Sequence, residues 1–369
     1  MKYCSEVVSR KIAVLSTLAT VAVVIIHSNS LEAVKAPSWA FWIGNALAFL
    51  QHWAEPFFFM VSGFFFDRAF CDKSIFADWL PFLRKKVRSL VVPYVLWGSV
   101  FGFLTMTPLK MYVNHQHGDA IFSGTVFAAS SAWDVIDRTI GITGGNFVGA
   151  LWYVRLLQIV FLTAPLWLGL RKISRWALLW AGLGLIFGFA AASGGGGDSD
   201  GEKIFGISVS LGGIGWILLG MAVSAFRLEE VRIPKAVVAL SGIVWLVFSA
   251  FVIQNRLVDA AWNPCLREWF RIAPLFLIVV WWGGYDVFPH MLPEKLPEFF
   301  SWRFWVYCMH HPMTGWCGGI VYAIVGHGLV GRCVYQIVLA PIVLGVCLLA
   351  AYLVRRSMPK AFAILNGGR

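Results

Sequence analysis

Polar positions cut this chain into a series of long apolar runs. They lie near residues 12–28, 41–66, 89–107, 149–168, 176–192, 204–224, 236–254, 270–284, 302–325 and 334–354. A helix rises about 1.5 Å per residue and the hydrocarbon core of a bilayer is about 30 Å thick, so a span takes about 20 residues. The run at 270–284 is short by this measure; the others fit. The pattern predicts an all-α, polytopic integral membrane protein of about ten transmembrane helices, forming a single domain with no separate soluble part.

Charge in the connections orients the predicted helices. Alternate connections are poor in cations: Lys35 in the first, Lys110 and Arg138 in the next of that set, Lys203 in the third. The other set is rich: Arg68, Lys73, Arg84, Lys85, Lys86 and Arg88, then Arg171, Lys172 and Arg175, then Arg227, Arg232 and Lys235. The tail adds Arg355, Arg356 and Lys360. By the positive-inside rule both termini are expected in the cytoplasm. Arg256 and Arg267 depart from the rule on the expected outer side. Residues 12–28 read as a retained first span, because no convincing small-x-small cleavage site follows them.

Composition agrees with a membrane protein. The 369 residues are 59% hydrophobic and 13% charged, against about 45–50% and 25% in soluble domains. The formal net charge is +11. Its cations sit in short clusters between apolar runs, so it serves topology and leaves no basic, aromatic-interleaved stripe for nucleic acid. The seven cysteines form no CxxC pair and no metal spacing, and read as small core residues. GGGGDSDGEK (194–203) lacks the GK[ST] ending of a phosphate loop and reads as a flexible outer connection. The long connection 108–148, with His115, His117 and Trp133, is a candidate cover for an outward-facing site.

Ionisable groups inside spans cost about 2.5–3.5 kcal/mol each on insertion scales, so they mark polar cavities or function. His27 ends the run TVAVVIIHSNS, 16 residues after Lys11, or about 24 Å along a helix, in the outer half of the membrane. It reads either as a satisfied interfacial histidine or as a general base. Glu55, in FLQHWAEPFFFMVSGFFFDR, precedes Pro56; it caps or pairs locally, or it orients His27. Ser62 and Gly63 break a bulky run, for close helix packing or for backbone approach to a ligand. Arg84, Lys85 and Arg88, in FLRKKVRSLVVPYVLW, anchor topology and also suit an anionic phosphate. Arg155, in ALWYVRLLQIV, either snorkels to the interface or binds a substrate carbonyl or Glu55. FWVYCMHHPM carries Tyr307, His310 and His311; adjacent histidines point about 100° apart on a helix, so no metal site is expected.

VVIIHS, EPFFFMVSGFFF, RKKVRSLVVPYVLW, LWYVRLLQ and FWVYCMHHP, in this order from about residue 10 to 355, resemble the acyltransferase-3 family of integral membrane acyltransferases. The resemblance implies transfer of an acyl group, by default acetyl, from acetyl-CoA to a hydroxyl of a sugar, polysaccharide or glycolipid, in a bacterial inner membrane. It implies His27 as catalytic base, with Glu55, Arg155 and His310 as further catalytic candidates. Arg84, Lys85 and Arg88 would hold the donor phosphates, and Ser62, Trp152 and Tyr307 would line the substrate pocket. No metal and no nucleic acid are expected. One position departs: many relatives carry an arginine eleven residues before the histidine, where this chain has Ser16. A transporter or flippase without chemistry is the competing class; related halves would betray one, and EPFFFMVSGF has no counterpart near 250–310.

Overall fold

The computed structural model describes residues 5–31, 38–71, 73–99, 131–142, 148–192, 202–204, 207–258 and 264–368. Apart from one short hairpin, the regular structure in these residues is helical. Helix α1 is Glu6–His27, α2 Trp39–Gln51, α3 Ala54–Phe70, α4 Ile75–Lys86 and α5 Val92–Leu96, the last two joined by a π turn over Val87–Val91. Then come α6 Ala132–Ile140, α7 Trp152–Leu162, α8 Ala164–Ile173, α9 Arg175–Ala192 and α10 Leu211–Phe226. The chain continues with α11 Lys235–Val258, α12 Pro264–Val287, α13 Arg303–Val325, α14 Leu329–Ser357 and α15 Pro359–Leu365. Strands β1 Glu202–Ile204 and β2 Ile207–Val209 pair antiparallel, with Glu202 opposite Val209.

Three helices among the described residues are long and apolar enough to cross a membrane: Glu6–His27, Lys235–Gln254 and Leu329–Ser357. The broken pair Gly149–Leu162 and Ala164–Ile173 makes a fourth if it counts as one span. Two expected spans are interrupted, and in each a proline stands in the first turn of the helix after the break. A proline ring inside a helix clashes with the carbonyl four residues earlier. Pro56 therefore disfavours a continuous helix through His52, and the expected span over 41–66 is α2 and α3 joined at His52–Trp53. Pro165 acts likewise on Phe161, and the expected span over 149–168 breaks at Thr163. The short run at 270–284 belongs to a longer helix, α12, of 24 residues. His115, His117 and most of 194–203 lie outside the described residues.

The described chain forms two compact units. The first comprises residues up to Trp79, Thr163–Gly195 and Leu211–Phe300. Ser5 caps its first helix by accepting from the Val8 N–H at 3.3 Å. Leu15, Ala19, Ala22 and Val23 of α1 bury against Trp53, Ala54 and Phe57 and against Leu277 and Ile278 of α12. Helix α10 lies between α3 and α9, and glycines set both contacts. A Cβ on Gly63 would overlap the Ile217 carbonyl, and one on Gly220 would overlap the Met60 carbonyl. Gly63 thus serves backbone-to-backbone helix packing; the approach it permits is that of a neighbouring helix. Charged pairs close the ends of this unit. Ser224 donates to Asp67 Oδ2 at 2.7 Å, Arg171 pairs with Asp67, and Arg68 pairs with Glu229.

The second unit comprises Leu80–Leu162, Gly196–Ser210 and the chain from Ser301. Its frame is the α13–α14 pair, closed by the C-terminal helix. Trp305 Nε1 donates to the Cys347 carbonyl at 3.1 Å. Trp97 Nε1 donates to the Leu365 carbonyl at 3.0 Å. Asn366, fully buried, accepts from the Trp305 N–H and donates to the Ser301 carbonyl.

Candidate active site

His27 is the last residue of α1 and is exposed. The helix stops there because polar side chains satisfy its end. Ser28 donates its hydroxyl to the Val24 carbonyl at 2.7 Å, and Asn29 donates to the Gly44 carbonyl of α2 at 2.8 Å. The imidazole thus sits where an apolar helix gives way to polar chain. Glu55, in the same unit, lies in the first turn of α3 and is half-buried. Its carboxylate sits at a helix N-terminus, where the helix dipole favours negative charge. Ser62 is half-buried two turns further along α3.

The second unit gathers four of the expected residues around the short 3-10 turn Gly149–Leu151. Arg155, on α7, is 8% exposed, so it does not snorkel. Its Nη1 donates to the Gly141 carbonyl. The neighbouring Ile140 carbonyl accepts from Tyr94 OH, so two side chains hold this bend. Trp152 opens α7 and is half-buried. Tyr307, on α13, donates its hydroxyl to the Ala150 carbonyl, and its ring meets Tyr153 edge-on at 5.7 Å.

His310 is fully buried. Its Nδ1 lies 2.6 Å from the Tyr307 carbonyl, which can only accept, so Nδ1 carries the proton. In the neutral ring Nε2 is then the basic nitrogen. His311 lies one turn beyond Tyr307 on the same face of α13. Its ring occupies the space a side chain on Gly149 would need: a Cβ there would be 2.8 Å from Nε2. Sequence reasoning named His311 without giving it a role, and it missed Tyr94, Gly141 and Gly149. The two glycines and a tyrosine inside VVPYVLW carry no local signal of chemistry; only the fold shows what they support.

Arg84, Lys85 and Arg88 are exposed at the end of α4 and in the π turn after it. Lys86, between them, is spent on packing, over the rings of Phe82 and Phe161 at 5.1 and 4.9 Å. Exposed cations of this kind suit an anionic group. Lys11 is committed elsewhere, to Asp286 of α12 at 2.5 Å. Ser16 is buried in α1. Eleven residues of helix make just over three turns, so Ser16 shares a face with His27.

Comparison with known proteins bears on what these residues do. A profile of the acyltransferase-3 family, described as an acyltransferase domain, matches residues 12–355. No curated protein and no solved structure matches the chain. With nearly its whole length inside the profile, this chain belongs to the acyltransferase-3 family and is an integral membrane acyltransferase.

Proposed function

We propose that the chain transfers an acyl group, by default acetyl, from acyl-CoA to a hydroxyl of a sugar, polysaccharide or glycolipid acceptor. The observation that carries this reading is a titratable, exposed His27 at the polar end of the first apolar helix of an acyltransferase-3 chain. In the reaction the acceptor O–H loses its proton as oxygen attacks the thioester carbonyl. A tetrahedral oxyanion forms and collapses, the C–S bond breaks, and coenzyme A leaves as thiol. His27 takes the proton from the acceptor and returns it to the departing sulfur. Glu55 acts on this histidine as orienting carboxylate.

Arg155 and His310 divide by chemistry. A guanidinium has five donors, and the Gly141 carbonyl uses one; the rest suit an oxyanion. A neutral His310 with its proton on Nδ1 presents Nε2 as an acceptor, so it can hold a hydroxyl of the acceptor by a hydrogen bond, while the one proton the reaction moves stays with His27. Arg84, Lys85 and Arg88 hold the donor phosphates from the cytoplasmic side. Ser62, Trp152 and Tyr307 contribute to the substrate pocket. The chain works as one transmembrane domain of about ten spans, with both termini cytoplasmic, in a bacterial inner membrane.

The test is thiol release from acetyl-CoA by protein in nanodiscs, with and without envelope polysaccharide from its own source. Release that rises with polysaccharide and is lost in His27→Ala and His27→Gln supports the reading. Normally inserted His27 variants with wild-type transfer rates remove the base assignment. No release and no coenzyme A binding by folded protein removes the acyltransfer reading.

A further inference from the structure

Among the described residues of the first unit, ten buried side-chain nitrogen or oxygen atoms have no hydrogen-bond partner. Five are on charged residues that stand in ion pairs, Arg10 with Glu6, Arg68 with Glu229 and Arg171 with Asp67. The other five are uncharged: Asn29 Oδ1, Gln51 Oε1, Trp245 Nε1, Ser249 Oγ and Trp281 Nε1. A buried polar group left unmade costs about 1–3 kcal/mol, and native structures hold only a few per hundred residues. Four of the five lie on α2, α11 and α12, which pack together, and Asn29 follows the end of α1. Trp281 lies 5.7 Å from Trp53, ring centre to ring centre. Trp245 and Trp281 both pack against the cluster of Ala22, Val23 and Trp53. Trp245 also packs against Phe49 of α2, and Ser249 lies one turn beyond it on α11. Gln51 ends α2, two residues before Trp53, and is 6% exposed. Asn29 is fixed to Gly44, two turns before Gln51 on α2.

The chemistry of this set is selective. The indole N–H groups only donate, the amide oxygens only accept, and the serine hydroxyl does either. No charged group is among the five. A ligand that satisfies all of them is neutral and carries several groups that both donate and accept. Hydroxyls do this. The rings of Trp53, Trp245 and Trp281 add apolar surface for the C–H face of such a ligand. We infer that the Gln51–Trp245–Ser249–Trp281 cluster of the first unit is a binding subsite for the polyhydroxylated ring of the acyl acceptor. Val23, in the apolar cluster against which Trp245 and Trp281 pack, precedes His27 by four residues, about 6 Å along α1. The subsite therefore sits one helical turn from the base and delivers a neighbouring hydroxyl to it. This assignment rests on the acyltransfer reading for the word acceptor, and on the orphaned atoms alone for the binding of a polyol.

The experiment uses full-length protein in nanodiscs and the neutral carbohydrate fraction of its own envelope, intact or cleaved at vicinal diols with periodate. Binding is read without coenzyme A, as the rise in melting midpoint against carbohydrate concentration; acyl transfer is read in parallel. The variants are Gln51→Leu, Trp245→Phe and Trp281→Phe, which keep volume or ring and remove only the polar group. The expected result is protection by intact but not oxidised carbohydrate, with the half-saturating concentration raised roughly three- to tenfold per variant and the half-saturation for acetyl-CoA unchanged. Three results overturn the subsite: wild-type affinity in the folded variants, protection indifferent to periodate, or no protection of the wild type, which leaves the cluster to water alone. Protection lost in the variants, with no acyl transfer by the wild type, overturns the acyltransfer reading and keeps the subsite.

Discussion

Lys11 Nζ lies 2.5 Å from Asp286 Oδ1, in a pair almost fully withdrawn from solvent. The same carboxylate accepts from the Ile233 N–H, and the ammonium lies 5.1 Å from the centre of the Trp282 ring. A buried ion pair is expensive to break from one side, because the other charge stays behind uncompensated. Lys11 is thereby used to join α1 to α12.

Lys11→Ala is therefore expected to destabilise by about 3–5 kcal/mol. The double variant Lys11→Met with Asp286→Leu should recover most of that loss, since it removes both charges. Denaturation in detergent, followed by helical circular dichroism, measures this. Equal stability for Lys11→Ala and wild type would show that the pair does not hold the two helices.

The glycine contacts make a second, purely steric prediction. Gly63→Ala and Gly220→Ala each place a methyl group on a carbonyl of the facing helix. Backbone cannot move aside as a side chain can, and overpacking typically costs about 1–3 kcal/mol. Gly345→Ala, on α14 with open space around it, is the control. It should be neutral or stabilising by up to about 1 kcal/mol. Similar losses at all three positions would mean that helix propensity, not contact, sets the effect.

The position of His27 at a polar helix end was legible in the sequence, because an apolar run that stops at HSNS has few other ways to stop. The cation cluster over Arg84–Arg88 was legible for the same reason. The two broken spans were harder. Pro56 and Pro165 stand in plain view, but hydropathy is blind to backbone carbonyls, and the run across 41–66 is apolar on both sides of the break. Partners far along the chain were not legible at all. Asp286 is 275 residues from Lys11, and Glu229 is 161 residues from Arg68. Nothing local in either sequence neighbourhood names the other. The role of His311 was hidden because it depends on an absent side chain, that of Gly149.

Activity should rise with pH across the range in which an imidazole loses its proton. A general base works only when neutral, so the rate is low on the acid side and reaches a plateau on the alkaline side. The profile of kcat/KM for the wild type should show this limb, and His27→Gln should lack it at a rate about 10²–10⁴-fold lower. A limb retained in His27→Gln would assign the titration to another group.

His310 separates by its two nitrogens. Asparagine places an amide N–H close to the position of Nδ1, whereas glutamine reaches the position of Nε2. His310→Asn keeps a donor for the Tyr307 carbonyl and removes the acceptor at Nε2. It should leave the melting temperature near that of the wild type while kcat/KM falls roughly three- to tenfold, the worth of one hydrogen bond. His310→Ala loses the donor as well and should also melt earlier, by about 1 kcal/mol for the hydrogen bond and more for the cavity. If His310→Asn keeps full activity, the buried imidazole is a structural pin for the turn of helix that carries Tyr307, and its Nε2 takes no part in holding the acceptor.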